Sequence, residues 1–467
     1  MTETVVGLLG LLCIVAIVVT LFQSKTLPSI AFIVFPFILS MVLVLSGYIS
    51  LDNVESMIKT GFSSTAPTAA LFVFSVLYFG IMTDAGMFDV IIGRLMKLVG
   101  NSVIGVTVMT TVIALIGHLD GGGASTFCIV VPSMLPVYKK MHMRPTTLLR
   151  VSVLAMGVLN LMPWSGPTAR AATVLGIEAS DLWSTLLPIQ AFGIVLCLAH
   201  AVLAGIQEQK RGAGLNGRLA QLEGDVVLDE AAQEAQNDLA RPRLFLFNIL
   251  LTVAVIALLI WDKFPSYVPF MLGVAAALLV NYGLSAKLHK QLINLHAGPA
   301  LMMCSTLMGA AVLMGVLTTS FDASGAVISA KTMEIPADAT LSVVRCLANI
   351  IRDILPSALG QQLPLVIGVL SVPLALAFDT DSYFYGMLPV MIAIGQGFGV
   401  EALPIAVAMV VCRNCATFIS PMVPATLLGT GLADVDIKDH IKHSFLYVWG
   451  FSILCMIFAV ILGIMPL

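Results

Sequence analysis

Three aspartates stand among residues that break or cap helices, in a chain that is otherwise apolar. Asp120 precedes three glycines and a Ser-Thr pair in HLDGGGASTF (118–127), while Asp379 and Asp381 lie in FDTDSYF (378–384). A charged carboxylate inside a bilayer costs about 2.5–3.5 kcal/mol or more. Carboxylates in such a place are expected to bind a hard cation or to carry a proton. The alternative interpretation is that each carboxylate caps a helix at the end of a loop.

Two apolar segments carry prolines and polar residues at corresponding places. LNLMPWSGPTAR (159–170) and RNCATFISPMVPAT (413–426) each contain two prolines, and a proline in a helix interior costs about 3 kcal/mol. Asn160 and Asn414 precede these breaks, where an amide can bind a ligand or tie together the freed backbone groups. Arg170 follows the first break, and it either pairs with a substrate carboxylate or extends to the membrane surface.

The elements that carry these residues are membrane-spanning helices. Of the 467 residues, 59% are hydrophobic and only 10% are charged, against about 25% charged in a soluble protein. Apolar stretches near the roughly 20 residues that cross a bilayer recur along the chain. The composition predicts an all-α polytopic membrane protein surrounded by lipid, with no nucleic acid as a partner. The predicted crossings are 5–22, 28–48, 67–84, 146–176, 183–206, 244–262, 268–285, 298–320, 402–418 and 444–464.

An internal repeat relates the two halves of the chain. The tetrapeptide MLPV occurs at 134–137 and again at 387–390. Each copy is followed, at nearly the same spacing, by an asparagine, a proline and then ATVLG (172–176) or ATLLG (425–429). Four markers in one order predict two copies of one structural unit. The predicted repeats are 1–206 and 244–467, and the polar linker between them is 207–243.

The basic residues predict the orientation of the chain. With the linker in the cytoplasm, most of the 23 Lys and Arg residues fall on the cytoplasmic side, in agreement with the positive-inside rule. Segments 102–138 and 364–397 then enter and leave the membrane on one side, as re-entrant helical hairpins. Each half crosses five times, so the second half is inverted relative to the first. We expect a multi-pass protein of the cell inner (plasma) membrane, with both termini outside.

The aspartate segments are predicted to be the tips of the two hairpins. Backbone that leaves the helix inside a bilayer is tolerated where protein buries it or where it lines a watery cavity. The helix that begins near Ser125 and Thr126 offers free N–H groups and a positive dipole end to an anion. Two tips and two interrupted helices at corresponding positions of inverted halves are typical of a secondary transporter. An intramembrane hydrolase, the enzymatic alternative, has no need of acids paired across a repeat.

These segments, together with FGIMTDAGMFD (79–89), resemble the citrate–divalent metal:proton symporter family (CitMHS) of the ion transporter superfamily. The resemblance implies uptake of citrate complexed with a divalent cation, Mg²⁺ or Ca²⁺, driven by protons. It also implies a homodimeric elevator, in which a scaffold stays fixed while a transport part carries the substrate. The implied scaffold helices are about 1–84 and 244–320, and the implied transport parts are about 88–206 and 322–467.

The family's motifs carry over to residues of both tips and both breaks. As metal ligands the resemblance implies Asp120, Asp379 and Asp381. Dicarboxylate relatives place Ser-Asn-Thr in their hairpin tips, whereas these tips carry aspartates and no asparagine, which favours a metal complex over sodium coupling. The implied substrate-binding residues are Gly121, Gly122, Gly123, Ser125, Thr126, Asn160, Ser165, Gly166, Pro167, Thr168, Arg170, Thr380, Ser382, Asn414 and Ser420.

The balance of charge agrees with a chelated substrate. Free citrate is a trianion, yet only Arg170 and Arg413 lie within or beside the deep segments. Citrate bound to a divalent cation carries one net negative charge, which one arginine and helix N-termini can neutralise. Two alternatives stay open: a proton- or sodium-coupled carrier of another organic anion, such as a dicarboxylate or a sugar acid, and a cation/proton antiporter that uses the aspartates alone.

Overall fold

The computed structural model describes residues 2–23, 26–98, 100–215, 239–261, 263–322, 324–329 and 342–465. These residues are almost entirely helical, apart from a short antiparallel ribbon of Ser320–Phe321 and Val327–Ser329. Nine helices among them are long and apolar enough to cross a membrane. The prediction of a helical, polytopic membrane protein is confirmed.

The first half runs through nine helices. A one-turn 3-10 helix, His118–Asp120, joins the two arms of its hairpin. The helices are α1 (Glu3–Phe22), α2 (Pro28–Leu45), α3 (Leu51–Asp84), α4 (Met87–Met96), α5 (Val103–Gly117), α6 (Gly123–Lys140), α7 (Pro145–Leu159), α8 (Gly166–Leu175) and α9 (Ala179–Arg211).

The second half repeats this order with small additions. A 3-10 turn (Pro242–Leu244) precedes it, a π-helical turn (Ser382–Met387) follows its hairpin tip, and a 3-10 turn (Thr417–Ile419) lies in its break. Its helices are α10 (Phe245–Trp261), α11 (Tyr267–Tyr282), α12 (Ala286–Thr318), α13 (Val343–Ile354), α14 (Ser357–Gln361), α15 (Leu363–Ala375), α16 (Leu388–Gly397), α17 (Ala402–Cys415), α18 (Pro424–Leu432) and α19 (Ile437–Ile461).

The two halves correspond element by element. The long helices α3 and α12 have 34 and 33 residues, and each is followed by a short helix, a hairpin and a broken helix. The packing is reciprocal, since α12 lies against α2 and α3 lies against α11. The first half crosses five times, through α1, α2, α3, the broken pair α7–α8, and α9, and the second half makes the same series in the inverted sense.

Three helices are nine or more residues longer than their predicted crossings, because an apolar stretch marks only the part of a helix that lies in lipid. The predicted crossing 67–84 belongs to α3, whose N-terminus at Ser50 has a complete capping box with Asn53. The predicted crossing 298–320 belongs to α12, which begins twelve positions earlier, at Ala286, after a cap formed by Ser285. Likewise α9 continues into the predicted linker as far as Arg211, and residues 216–238 of that linker lie outside the described residues.

Glycines allow the two long helices to touch backbone to backbone. A Cβ atom at Gly61 of α3 would lie 1.9 Å from the carbonyl oxygen of Ala311, and one at Gly315 of α12 would lie 2.1 Å from that of Met57. No side chain fits at either distance. This contact fixes the crossing of α3 and α12 and thereby the relative position of the two halves.

We expect Gly315→Ala to lower the melting temperature of the detergent-solubilised protein by several degrees, because overpacking a tight contact costs about 1–3 kcal/mol. The matched control is Gly298→Ala in the same helix, where a Cβ would meet nothing within 4 Å. Alanine is the better helix former by about 1 kcal/mol, so the control should keep or raise the melting temperature. Equal effects of the two substitutions would contradict the close contact.

Candidate substrate-binding site

Both hairpin tips and both helix breaks meet at one cavity of about 630 Å³. Its wall joins the first tip and break to the second tip and break, which are far apart in the chain. Nine of the residues proposed from the sequence line it: Gly121, Gly123, Asn160, Gly166, Pro167, Arg170, Asp379, Thr380 and Asp381.

The first tip is a tight turn that only glycine permits. Gly121 has a φ of +69°, in the left-handed region. A Cβ at Gly123 would lie 2.3 Å from Cε1 of Phe418, which belongs to the break of the second half. The glycines therefore allow the tip to turn sharply and to approach the opposite half closely.

The carboxylates of Asp120 and Asp379 cap the turns in which they lie. Asp120 accepts a hydrogen bond from the backbone N–H of Gly122 at 2.7 Å and another from the hydroxyl of Ser125. Asp379 accepts from the backbone N–H of Asp381 at 3.1 Å and from the hydroxyl of Ser382. The capping interpretation is thus realised in both tips. Each carboxylate retains lone pairs beyond those that the cap uses.

Arg170 and Asp381 form an ion pair between the two halves. The Nε atom of Arg170, in α8, lies 2.5 Å from Oδ1 of Asp381, in the second tip. The two side chains are 11% and 15% exposed, so Arg170 remains at depth and does not extend to the surface. A carboxyl of the substrate that binds this guanidinium competes with Asp381.

Arg413 braces the second tip from behind. Its guanidinium is fully buried and donates to the carbonyl oxygen of Phe378 at 3.2 Å and to the hydroxyl of Thr417 at 3.2 Å. A longer contact of 3.5 Å reaches the hydroxyl of Thr380. The side chain holds the tip in place and does not line the cavity.

His118 occupies the equivalent place behind the first tip. Its Nδ1 atom lies 2.7 Å from the hydroxyl of Thr126, and its Nε2 atom lies 3.1 Å from Oδ1 of Asn160. The ring also meets the edge of Phe418 at a centroid distance of 5.3 Å. The sequence did not identify His118 as a site residue, although its place directly before the tip was the available signal.

The two broken helices are joined through a backbone carbonyl that the first break leaves free. The carbonyl oxygen of Asn160 accepts from Nδ2 of Asn414 at 3.1 Å and from the hydroxyl of Thr168 at 2.9 Å. Further hydroxyls donate to carbonyl or carboxylate oxygens within the tips and the first break: those of Ser125, Thr126, Ser165 and Ser382. The proposed site residues that do not line the cavity and take part in such hydrogen bonds are Asp120, Gly122, Ser125, Thr126, Ser165, Thr168, Ser382, Asn414 and Ser420.

Residues of α12 complete the cavity on the opposite side. Met302, Met303 and Thr306 line it, together with Thr26 from the turn between α1 and α2. Met and Thr in a long apolar helix carry no signal by which sequence reasoning could have found them. The cavity therefore lies between the hairpins and the long helices.

The described residues hold no preformed metal-binding cluster, and a further cavity lies away from the tips. Among the described residues, no group of three or more His, Cys, Asp or Glu side chains is placed to hold a metal ion. A second cavity of about 570 Å³ lies between α3 and the turn from α8 to α9, and no tip residue lines it. A cation bound at the tips would therefore need oxygen ligands in addition to the aspartate carboxylates.

The family model described as citrate transporter (CitMHS) matches residues 3–412 of the chain. The chain belongs to this family. Its members are transporters and not enzymes, so the hydrolase alternative is excluded and the resemblance seen in the hairpin motifs is confirmed.

Two relatives from Bacillus subtilis (strain 168) match over nearly the whole chain. One, named citrate transporter, is 31% identical and covers 98% of this chain and 99% of its own length. Another, named Mg(2+)/citrate complex secondary transporter, is 29% identical and covers 94% of each chain. The fold is similar to the crystal structure of the YdaH transporter of Alcanivorax borkumensis, with a TM-score of 0.58, 13% identity and coverage of 89% and 90%.

We expect a double-mutant cycle on Arg170→Gln and Asp381→Asn to reveal strong coupling in thermal unfolding. Removing one partner of a buried ion pair leaves an uncompensated charge and costs about 3–5 kcal/mol, whereas removing both costs less. The control is the exposed pair of Lys59 and Glu55, whose side chains are 75% and 62% exposed, and which should show about 0–1 kcal/mol. Additive effects at Arg170 and Asp381 would contradict a mutual pair.

Proposed function

We propose that the protein takes up citrate as its complex with a divalent cation, coupled to protons. The observation that carries the proposal is the single cavity between two hairpin tips and two broken helices, lined by one arginine and two carboxylates. A ligand that carries both a carboxylate and a cationic centre matches this lining.

The charges of the cavity favour a chelate over free citrate. Arg170 offers a positive group, while Asp379 and Asp381 offer negative ones on the same wall. A trianion would be repelled by these carboxylates, whereas a citrate–metal complex presents a free carboxylate to the arginine and its metal to the aspartates. The complex carries one net negative charge, against three on free citrate.

Three helix N-termini add to the attraction for an anion. Gly123, Gly166 and Pro424 begin α6, α8 and α18, and all three residues line the cavity. The N-terminus of a helix carries about half a positive charge and free N–H groups. Their convergence supports binding of the carboxylate end of the substrate.

Binding on this proposal exchanges the partners of an existing ion pair. A citrate carboxylate takes the guanidinium of Arg170, and Asp381 is released to the metal. Asp120, Asp379 and Asp381 are the proposed protein ligands or proton acceptors, and citrate supplies further oxygens. Because the metal arrives as part of the substrate, Mg²⁺ or Ca²⁺ needs fewer ligands from the protein than a resident ion does.

The transport cycle proposed here is an elevator. Helices of about 1–84 and 244–320 form the scaffold, and 88–206 with 322–467 carry the substrate. The cavity lies where Met302 and Thr306 of the proposed scaffold face the tips, which is where a moving part must separate from a fixed one. We further propose a homodimer in the plasma membrane, with the central linker in the cytoplasm and both termini outside.

Uptake of labelled citrate into proteoliposomes tests the proposal. We expect uptake to require Mg²⁺ or Ca²⁺, to be stimulated by an inward proton gradient, and to proceed without sodium. Asp381→Asn should weaken metal-dependent uptake at least tenfold, because it removes the proposed metal ligand. Equal rates with and without EDTA would refute transport of the chelate.

Two control arms separate the alternatives. Competition by dicarboxylates and sugar acids identifies a carrier of another organic anion, and metal-driven proton flux without citrate identifies an antiporter. Glu55→Gln is the matched control for Asp381→Asn, because it also removes a carboxylate, here from an exposed surface pair. It should leave uptake unchanged.

A further inference from the structure

One side chain connects the first tip and the first break with two helices outside the hairpins. Trp164 stands in the break between α7 and α8, is 3% exposed and does not line the cavity. We propose that Trp164 is a positioning residue for substrate binding. Its indole N–H holds the first tip in the conformation that lines the cavity, and α3 and α11 fix the ring that carries this N–H.

The indole N–H satisfies a backbone carbonyl of the first tip. It donates to the carbonyl oxygen of Leu119 at 2.8 Å. Leu119 lies in the 3-10 turn His118–Asp120, and its carbonyl accepts no other hydrogen bond in the described part of the chain. A backbone carbonyl at membrane depth needs a protein donor. Without the indole, the turn has to change shape in order to find another donor.

The turn of the first tip also lies directly on the first break. A Cβ atom at Gly121 would lie 3.3 Å from Oγ of Ser165 and 3.8 Å from Cδ1 of Trp164. A second contact of the tip, between His118 and Asn160 at 3.1 Å, goes to the same break. The first tip and the first break therefore form one unit.

The indole ring of Trp164 packs against aromatic residues of other elements. Its centroid lies 5.7 Å from that of Phe79 in α3 and 5.3 Å from that of Phe270 in α11. These two rings are buried and lie 5.8 Å apart, and all three distances fall in the range of favourable aromatic pairs. A close-packed ring cannot turn without losing these contacts. The direction of the indole N–H is thus set by α3 and α11.

The consequence for transport rests on the proposed function. Phe79 and Phe270 belong to the proposed scaffold, whereas Trp164 and the first tip belong to the proposed transport part. A movement of one part against the other separates the indole from its aromatic partners and leaves it beside the tip. The first tip is therefore held firmly in the position seen here and is loosened when the two parts separate.

Hydrogen–deuterium exchange of the solubilised protein, followed by mass spectrometry, tests the positioning without substrate. In Trp164→Phe, which keeps an aromatic ring and removes the donor, we expect exchange over 118–123 to become about fivefold faster, as loss of one hydrogen bond predicts. Exchange over the second tip, 379–384, should stay unchanged. An unchanged first tip, or equal increases in both tips, overturns the proposal.

Trp183→Phe is the matched control. It removes an indole N–H from the same aromatic cluster, where Trp183 lies 6.4 Å from Trp164 and donates to Gln190 instead of a tip. Exchange over 118–123 should stay unchanged in this variant. An increase equal to that of Trp164→Phe would show general loosening of the cluster and overturn the proposal.

Phe270→Leu tests whether α11 acts on the first tip through the ring, and it keeps the donor in case Trp164→Phe does not fold. We expect faster exchange over 118–123 in this variant and no change over 379–384, because the indole loses one of the rings that fix its direction. An unchanged first tip overturns the part assigned to α11.

Uptake of labelled citrate connects the first tip to binding. We expect Trp164→Phe to raise the KM for the Mg²⁺–citrate complex about fivefold, with a smaller change in the maximal rate, and Trp183→Phe to leave the KM unchanged. An unchanged KM in Trp164→Phe overturns the positioning role, whatever the maximal rate. Absence of citrate uptake by the unsubstituted protein would overturn the proposed function and leave the exchange result standing.

Discussion

The structure depends on satisfying backbone groups that have left the helix inside the membrane. Each tip and each break frees N–H and C=O groups that have no water to bind, and an unsatisfied group there costs several kcal/mol. Side chains from neighbouring elements supply the partners. In the first tip the indole N–H of Trp164 donates to the carbonyl of Leu119 at 2.8 Å, and in the second tip Arg413 donates to the carbonyl of Phe378.

This requirement explains why so many polar residues surround the cavity without lining it. Asn414 binds a freed carbonyl of the opposite half, and the carboxylates of Asp120 and Asp379 bind freed N–H groups of their own turns. The groups left over for a ligand are few, and the charged ones are already paired, as in Arg170 and Asp381. A substrate therefore has to replace an existing interaction with one of equal strength.

The sequence was sufficient for the features that follow from local chemistry and repetition. Glycines beside Asp120 and prolines near Asn160 and Asn414 located the tips and breaks, and the MLPV repeat predicted their correspondence. The structure extends this, because one cavity contains residues of all four segments. Hydropathy alone predicted only part of long helices such as α3. It does not detect polar N-terminal turns, which a good capping residue allows the helix to include.

Other features depend on three-dimensional placement and left no local signal. Capping and ligand binding use the same residue types, so only the turn geometry decides that Asp120 caps while Asp381 pairs with Arg170. The contact between His118 and Asn160 joins residues that lie 42 positions apart. Met302 became a cavity residue only through the packing of α12 beside the tips.

A cryo-EM structure of the protein with Mg²⁺ and citrate tests the central claim most directly, that the two tips enclose one charged solute. The account predicts ligand density in the cavity between Gly121 and Thr380, with Arg170 turned from Asp381 to a citrate carboxylate. Density at another place, or an intact pair of Arg170 and Asp381 beside bound ligand, would contradict it.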